Sequence, residues 1–324
     1  MALLTPTQLS EILVTSMENA GVRVGASFDP ASRPMELQID DAPVRVFLWN
    51  ISPGGASRSP DERRVQTRRP ASVPLFVPGR RTLLLGYHDQ FKAFGGWDPR
   101  FHPNPGVSSS LQVHVSQLEE AVANGMAART RNVDLGIEVV MAFVPGAIRT
   151  YLEVAVKLPP PGTSAAEMAT WARAGSGEED GEGALPTGPR KEAVRQVRIK
   201  VRDTRFRATI SRIYGGRCAF CGLGASLIEA AHIMGVGEGG SDEVTNGVAL
   251  CPNHHAAFDK GLLLVGEDGR IIVNRRRLVD LNVSKSEIAA LGRGLLAKAR
   301  TPAAKRFHPD AKLLATHRER WRIA

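Results

Sequence analysis

The amino-acid sequence predicts an α+β protein of two domains, and three observations lead to this prediction. Runs of β-branched and aromatic residues alternate with helix-like segments through the first half of the chain. A stretch rich in proline, glycine and acidic residues, 158–190, then interrupts the pattern as a linker would. From Arg190 onward, 25 lysine and arginine residues stand against 13 acidic residues, a net charge of +12 in a chain whose total is +9. We therefore predict an N-terminal domain over 1–157, a linker over 158–190 and a C-terminal domain over 191–324.

The N-terminal domain is predicted to combine two helices with a mostly antiparallel sheet. Thr5 can cap the first helix, Pro6 suits its first turn, and Gln8 completes a capping box ahead of an apolar stripe. A second helix is predicted over 116–131, and a loop rich in proline and arginine over 52–72. Five runs have the composition of strands: 44–52, 81–89, 109–116, 135–145 and 149–158.

The C-terminal domain is predicted to begin with a basic helix over 195–217. A hairpin follows later, over 262–274, with its turn at 266–269. Two further helices end the chain, one capped by Ser284 with Glu287 and one starting near Pro309. The expected apolar positions of the basic helix are Val197, Val201, Phe206, Ile210 and Ile213.

Between these elements lie all three cysteines of the chain, in two ligand-spaced pairs. Cys218 and Cys221 form C-x-x-C, and Cys251 and His254 form C-x-x-H. Two such pairs supply four ligands for a tetrahedral zinc ion and leave no open position, which is typical of a structural site. The alternative is that the cysteines are ordinary buried apolar residues.

Three stretches around these pairs resemble the HNH nucleases, whose site is a ββα-metal fold. They are "EAAHI" (229–233), "TNGVALCPNHH" (245–255) and "AAFDKG" (256–261), in this order after C-x-x-C. The resemblance covers roughly 195–280. It implies that His232 is the general base, that Asn246 holds the hairpin loop and orients that base, and that His255 binds a catalytic metal ion.

The chemistry of phosphodiester hydrolysis agrees with these roles. A neutral imidazole can accept a proton from water at physiological pH. Mg²⁺ or Mn²⁺ can polarise the phosphoryl oxygen and stabilise the leaving group. Zinc would then be scaffold, and a different divalent ion would serve the reaction.

One position departs from the family's pattern. Many HNH nucleases place aspartate or histidine directly before the base and use it as a metal ligand, whereas this chain has Ala231 there. Asp259 can replace it, since it lies one helical turn after His255 if 256–260 is helical. Glu229, two residues before Ala231 on the same strand face, is the other candidate. We favour Asp259, and a weakened or inactive site is left open.

The N-terminal domain is the candidate for choosing the target. It weakly resembles N-terminal regions attached to HNH proteins of bacterial restriction systems, which implies recognition of a DNA sequence or a modified base. Arginine contacts phosphates and guanine edges, and aromatic rings stack on bases. The alternative is a solvated arginine loop with core aromatics. The candidate residues are Arg58, Arg63, Arg64, Arg68, Arg69, Trp97 and Phe101.

Three functions remain to be compared. The first is a metal-dependent DNA endonuclease of a restriction or defence system, with DNA as partner of the basic C-terminal domain. The second is a non-specific nuclease gated by a ligand or partner that the N-terminal domain senses. The third is a non-catalytic, zinc-stabilised DNA-binding protein, which is disfavoured because zinc binding alone needs none of His232, Asn246 and His255.

Location and assembly are predicted only coarsely. The chain has no apolar run near the ~20 residues of a membrane helix. Its first residues lack the pattern of a secretory signal. We therefore expect a cytoplasmic protein with reduced thiols and no membrane partner. Cleavage of both DNA strands by one site per chain would suit a homodimer.

Overall fold

The computed structural model describes residues 3–25, 28–54, 59–68, 73–103, 108–178, 188–224 and 227–321. The chain forms two compact units, Met1–Arg205 (the N-terminal unit) and Phe206–Ala324 (the C-terminal unit). This division lies later in the chain than the predicted domain boundary. The predicted mixture of helices and mostly antiparallel sheet is confirmed.

The described residues of the N-terminal unit form ten strands and the helices around them, and α5 continues past Arg205. In chain order the elements are α1 (Pro6–Asn19), β1 (Val24–Gly25), β2 (Met35–Ile39), β3 (Ala42–Asn50), β4 (Ser52–Pro53), β5 (Glu62–Arg68), β6 (Thr82–His88), β7 (Ala93–Trp97), β8 (Ser108–His114), α2 (Val115–Asn124), β9 (Met126–Val133), β10 (Gly136–Phe143), α3 (Ile148–Ala155), α4 (Ala165–Gly175) and α5 (Pro189–Ile213).

Seven of these strands form one sheet in the order β1-β2-β3-β6-β7-β10-β9. Only β3 and β6 pair in parallel, and every other neighbouring pair is antiparallel. The strands β4, β5 and β8 form a second, antiparallel sheet. Because β6 is buried along its whole length, its continuous apolar run is the kind expected of a central strand.

Helix α4 explains why the division lies beyond the predicted linker. It occupies part of 158–190, the predicted linker, and it buries Met168 and Trp171. Both side chains belong to the same core cluster as Val194, Val197 and Val201 of α5. Burial of such large apolar side chains is worth about 1.5–3 kcal/mol each, which holds these segments within the N-terminal unit.

Several predicted elements of this unit need correction. The run 149–158, predicted as a strand, is mostly helix α3, in which Ile148, Tyr151, Leu152 and Val154 are buried at helical spacing. The helix predicted over 116–131 ends at Asn124, because Gly125 takes a φ of +86° and the chain turns into β9. The predicted arginine loop contains strand β5.

The C-terminal unit continues from the second part of α5. Its further elements are β11 (Glu229–His232), β12 (Gly247–Leu250), α6 (Pro252–Asp259), β13 (Leu263–Val265), β14 (Ile271–Val273), α7 (Arg275–Asp280), α8 (Lys285–Gly292) and α9 (Ala311–Arg320). Strands β11 and β12 pair antiparallel, and β12 is followed after one residue by α6. This is a ββα arrangement. The predicted 262–274 hairpin and the capping box of Ser284 with Glu287 are confirmed.

No helix among the described residues combines the length and the apolar character that a membrane span requires.

Candidate active site and metal centre

The two cysteine-containing pairs of the sequence come together in the C-terminal unit. The Sγ atoms of Cys218, Cys221 and Cys251 and a ring nitrogen of His254 all lie within 4.8 Å of one another. The Nδ1 atom of His254 is 3.3 Å from the Cys251 sulfur and 3.5 Å from the Cys218 sulfur. With metal–sulfur and metal–nitrogen bonds of about 2.3 and 2.0 Å, ligand atoms of a tetrahedral zinc ion lie ~3.5 Å apart. The four residues could therefore hold one metal ion.

The protonation of the thiols fits that donor set. Burial alone would raise the pKa of Cys218, but its hydrogen bonds with His254 and with nearby backbone N–H groups outweigh burial and lower the pKa to about 6. Burial, together with the neighbouring sulfurs of Cys218 and Cys251, raises the pKa of Cys221 to about 11. One thiolate therefore disfavours deprotonation of the thiol beside it. A divalent cation removes this repulsion between negative charges, because it binds the thiolates directly.

His232, the predicted base, ends strand β11. Its Nε2 atom lies 3.0 Å from Oδ1 of Asp242, and its side chain is 20% exposed. The ring stacks on Phe206 of α5, with the ring centroids 4.0 Å apart and the planes 8° from parallel. Neither Asp242 nor Phe206 was predicted as a site residue. Asp242 could have been noticed as an acidic residue in the segment joining β11 to β12.

Asn246 is fully buried and makes its side-chain contacts with backbone groups. Its Oδ1 accepts a hydrogen bond from the backbone N–H of Met234 at 2.9 Å. Its Nδ2 donates to the carbonyls of Met234 (3.0 Å) and Ser241 (2.7 Å). Asn246 therefore closes the segment between β11 and β12 on itself. None of these three hydrogen bonds is to His232.

Two glycines make this arrangement sterically feasible. A side chain on Gly240 would collide with the carbonyl of Met234 and lie 3.0 Å from the Asn246 amide. A side chain on Gly247, the strand partner of His232, would collide with Ile210 and lie 2.8 Å from the Phe206 ring. The Asn246–Gly247 dipeptide thus supplies both the side chain that closes the loop and the space through which Phe206 reaches His232.

His255 lies one residue after His254 on α6, but its surroundings are different. It is 24% exposed and has a carboxylate at each ring nitrogen. Glu229 Oε2 is 2.7 Å from Nδ1, and Asp259 Oδ2 is 3.4 Å from Nε2. The structure therefore brings both alternatives for the missing acidic ligand to the same histidine. Ala231 itself is buried.

Comparison with family models identifies this region. Residues 218–266 match the model described as HNH endonuclease. The C-terminal unit contains an HNH endonuclease domain. The match includes the Cys₃His cluster, His232, Asn246, His255 and Asp259. In the N-terminal unit, residues 42–152 match the model described as methylase-associated X1.

A curated relative carries a similar segment. The type IV methyl-directed restriction enzyme EcoKMcrA of Escherichia coli (strain K12) is 36% identical in an alignment of 80 residues. The match covers 22% of this chain and 29% of that enzyme. The chain therefore matches less than a third of the length of this relative.

Two solved structures show weaker similarity. The modification-dependent TagI restriction endonuclease aligns over 86% of this chain and 81% of its own, with 14% identity and a TM-score of 0.29. The type IV phosphorothioation-dependent restriction endonuclease ScoMcrA aligns over 82% and 59%, with 15% identity and a TM-score of 0.23. Scores this low establish neither a common fold nor a common activity.

The candidates for DNA contact in the N-terminal unit differ in their exposure to solvent. Trp97 is 2% exposed, and its indole N–H donates to the Gln112 carbonyl at 2.9 Å. Its interpretation as a base-stacking side chain needs correction, because the ring is part of a buried apolar cluster. Phe101 is likewise buried. Arg63 and Arg64 lie on β5 and are partly exposed, and Arg68 ends that strand. Arg58 and Arg69 lie outside the described residues.

The N-terminal unit also contains a cavity of about 230 Å³. Its lining combines apolar side chains with Tyr151 and three arginines, Arg80, Arg81 and Arg100. Asp98 binds Arg100 through two parallel hydrogen bonds, at 3.0 and 2.6 Å. Arg81 donates to the Leu152 carbonyl, while its buried Nε has no hydrogen-bond partner among the described residues. The cavity therefore has an apolar body and a positively charged edge.

Proposed function

We propose that this chain is a metal-dependent DNA endonuclease of a restriction or defence system. Its HNH domain would hydrolyse phosphodiester bonds, and its N-terminal unit would select the DNA by sequence or by a modified base. The observation that carries the proposal is that His232 and His255 stand outside the Cys₃His cluster, partly exposed and each paired with carboxylates. A module that only binds zinc would need neither pair.

The Cys₃His cluster is proposed as a structural zinc site. Three thiol ligands and one imidazole are the donor set of such sites, and they leave no open position for substrate. Residues Cys218, Cys221, Cys251 and His254 would hold the ion, which joins the loop before β11 to the start of α6.

In the proposed reaction, water attacks phosphorus while Nδ1 of His232 accepts its proton, and the bond from phosphorus to the leaving oxygen breaks. His255 and Asp259 would hold a catalytic Mg²⁺ or Mn²⁺ ion, and that ion would stabilise negative charge on the phosphate and on the leaving oxygen. Their facing Nε2 and Oδ2 atoms support this assignment. Glu229, hydrogen-bonded to the opposite ring nitrogen, would orient His255.

The partner and location follow from the same proposal. DNA would meet the basic C-terminal part of the chain. The methyl-directed activity named for EcoKMcrA supports a search for modified DNA as the preferred substrate. Arg63, Arg64, Arg68 and Arg69 are the proposed phosphate contacts of the N-terminal unit. A cytoplasmic location would keep the three thiols reduced, and a homodimer would allow both strands to be cut.

The cavity of the N-terminal unit favours a second candidate. Its volume is suited to one small ring system, and its arginine edge suits an anion. In this case the unit would sense a small ligand and gate a non-specific nuclease. Cleavage that depends on an added ligand and not on DNA sequence or modification would support this candidate over the first.

Plasmid cleavage by the full chain tests the proposal. Plasmids from methylating and non-methylating hosts are incubated with the zinc-loaded protein and Mg²⁺ or Mn²⁺, beside His232→Ala. We expect cleavage of at least one plasmid, and a rate roughly 10²- to 10⁴-fold lower for the variant, since a positioned base contributes about that much. Equal cleavage by the variant would exclude His232 as the base. No cleavage of either plasmid by a folded, zinc-loaded wild type would contradict the ungated restriction nuclease and favour the ligand-gated or the non-catalytic function.

A further inference from the structure

We propose that Asp242 is the positioning residue for His232, and that Asn246 acts on His232 through Asp242. This inference rests on the proposed role of His232 as the base. The resemblance implies that Asn246 orients the base, yet its three side-chain hydrogen bonds are to the backbone of Met234 and Ser241.

Asp242 determines the tautomer of His232. A neutral imidazole has one N–H and one free lone pair, and the partner of one nitrogen decides which nitrogen carries the proton. An ionised carboxylate can only accept, so Asp242 Oδ1 at 3.0 Å requires the N–H at Nε2. The lone pair then lies on Nδ1, which has no hydrogen-bond partner in the part of the chain that the structure describes. Nδ1 is the nitrogen left to take a proton from water.

Asn246 holds the backbone beside Asp242 in place. Asn246 donates to the carbonyl of Ser241, the residue directly before Asp242. It also binds both backbone groups of Met234, two residues after His232. One buried amide therefore fixes the chain beside each member of the His232–Asp242 pair. Since an amide of this kind has few donors and acceptors, nearly all of its capacity is used in closing the loop.

Phe206 fixes the plane of the His232 ring. A hydrogen bond at one nitrogen still permits the imidazole to rotate about the axis through that bond. The parallel stack on Phe206, 4.0 Å away, removes this freedom. Asp242 thus sets which nitrogen is free, and Phe206 sets the direction in which that nitrogen faces.

The tautomer can be measured directly in the full-length, zinc-loaded protein. Histidine ring nitrogens are labelled with ¹⁵N, and two-bond ¹H–¹⁵N correlation spectra are recorded at a pH where imidazole is neutral. The signals of His232 are assigned by their loss in His232→Ala. We expect Nε2 protonated and Nδ1 unprotonated in the wild type, and a mixture of tautomers in Asp242→Ala. A wild-type spectrum with the proton on Nδ1 would overturn the proposal.

Cleavage kinetics provide the second measurement. Asp242→Ala should lower kcat by roughly 10- to 100-fold, a part of what a positioned base contributes, while KM for DNA stays unchanged. Glu243→Ala is the matched control, because it removes the same charge from the next residue of the same exposed segment. It should cleave like the wild type. Both variants should retain zinc, because neither residue belongs to the Cys₃His cluster.

The outcomes separate this proposal from the function beneath it. If the wild type cleaves DNA, His232→Ala does not, and Asp242→Ala matches the wild type in both tautomer and kcat, then Asp242 has no positioning role. If the wild type cleaves no DNA, the nuclease proposal fails, yet the tautomer spectra still decide whether Asp242 orients His232. Equal losses in Asp242→Ala and Glu243→Ala would reduce the effect to surface charge and overturn the assignment.

Discussion

Replacing His254 with alanine should release bound zinc and unfold the C-terminal unit, whereas the same replacement at His255 should leave zinc and fold intact. The two histidines are neighbours on α6, but only His254 lies within the Cys₃His cluster. Structural zinc sites contribute about 10–16 kcal/mol at neutral pH, which matches or exceeds the roughly 5–15 kcal/mol that stabilises a typical domain. Without its ion, the buried cluster around Phe220 and Phe258 should no longer outweigh the entropy of the chain.

Metal analysis and hydrogen exchange of the full chain can check this pair of variants. One zinc per chain is expected for the wild type and for His255→Ala, and none for His254→Ala. Exchange protection should be lost in the part of the chain after Phe206 and kept in the N-terminal unit, which has its own core. Cys251→Ser should behave like His254→Ala. Zinc retained by His254→Ala with full protection would contradict a structural site at these four residues.

The candidate metal centre is the part of the site that sequence alone can predict best. Its four proposed ligands form two local pairs, and the spacing within each pair predicts convergence on one ion. The pairing of His232 with Asp242 and Phe206 could not be predicted in this way. It depends on how α5 packs against β11 and β12, which is set by tertiary contacts and by the missing side chain of Gly247.

The errors in the N-terminal unit have a similar origin. The run 149–158 has the β-branched and aromatic residues of a strand, but packing of Tyr151 and Leu152 into the core stabilises helix α3. Strand β7 was not predicted because it is rich in glycine, which is uncommon in strands. Gly96 is nevertheless required there, because a side chain at this position would collide with Tyr151. Trp97 belongs to the same buried strand and is therefore a core residue.

Replacing Asp259 with asparagine should reduce cleavage by at least about 100-fold at low Mg²⁺ or Mn²⁺, and an excess of Mn²⁺ should restore part of it. The geometry at His255 predicts this outcome. An imidazole binds a metal ion through one nitrogen and donates a hydrogen bond from the other. Glu229, at 2.7 Å from Nδ1, suits the hydrogen-bond acceptor, which leaves Nε2 and the facing carboxylate of Asp259 for the ion.

Glu229→Gln is the matched variant, because glutamine can still accept the hydrogen bond from Nδ1. We expect it to raise the metal requirement by about tenfold, as is usual for a residue that orients a metal ligand. Metal titration of the cleavage rate distinguishes the two carboxylates. A larger shift for Glu229→Gln than for Asp259→Asn would reverse their roles and make Glu229 the ligand that replaces the missing acid at Ala231.

The titration also separates metal binding from proton transfer. His232→Ala should keep its roughly 10²- to 10⁴-fold lower rate at every concentration of Mn²⁺, because added metal cannot supply the missing proton acceptor. Asp259→Asn, in contrast, should approach a plateau as metal rises, since its defect lies in affinity for the ion. If excess Mn²⁺ rescued both variants equally, His232 would act as a metal ligand and the two histidines would share one role.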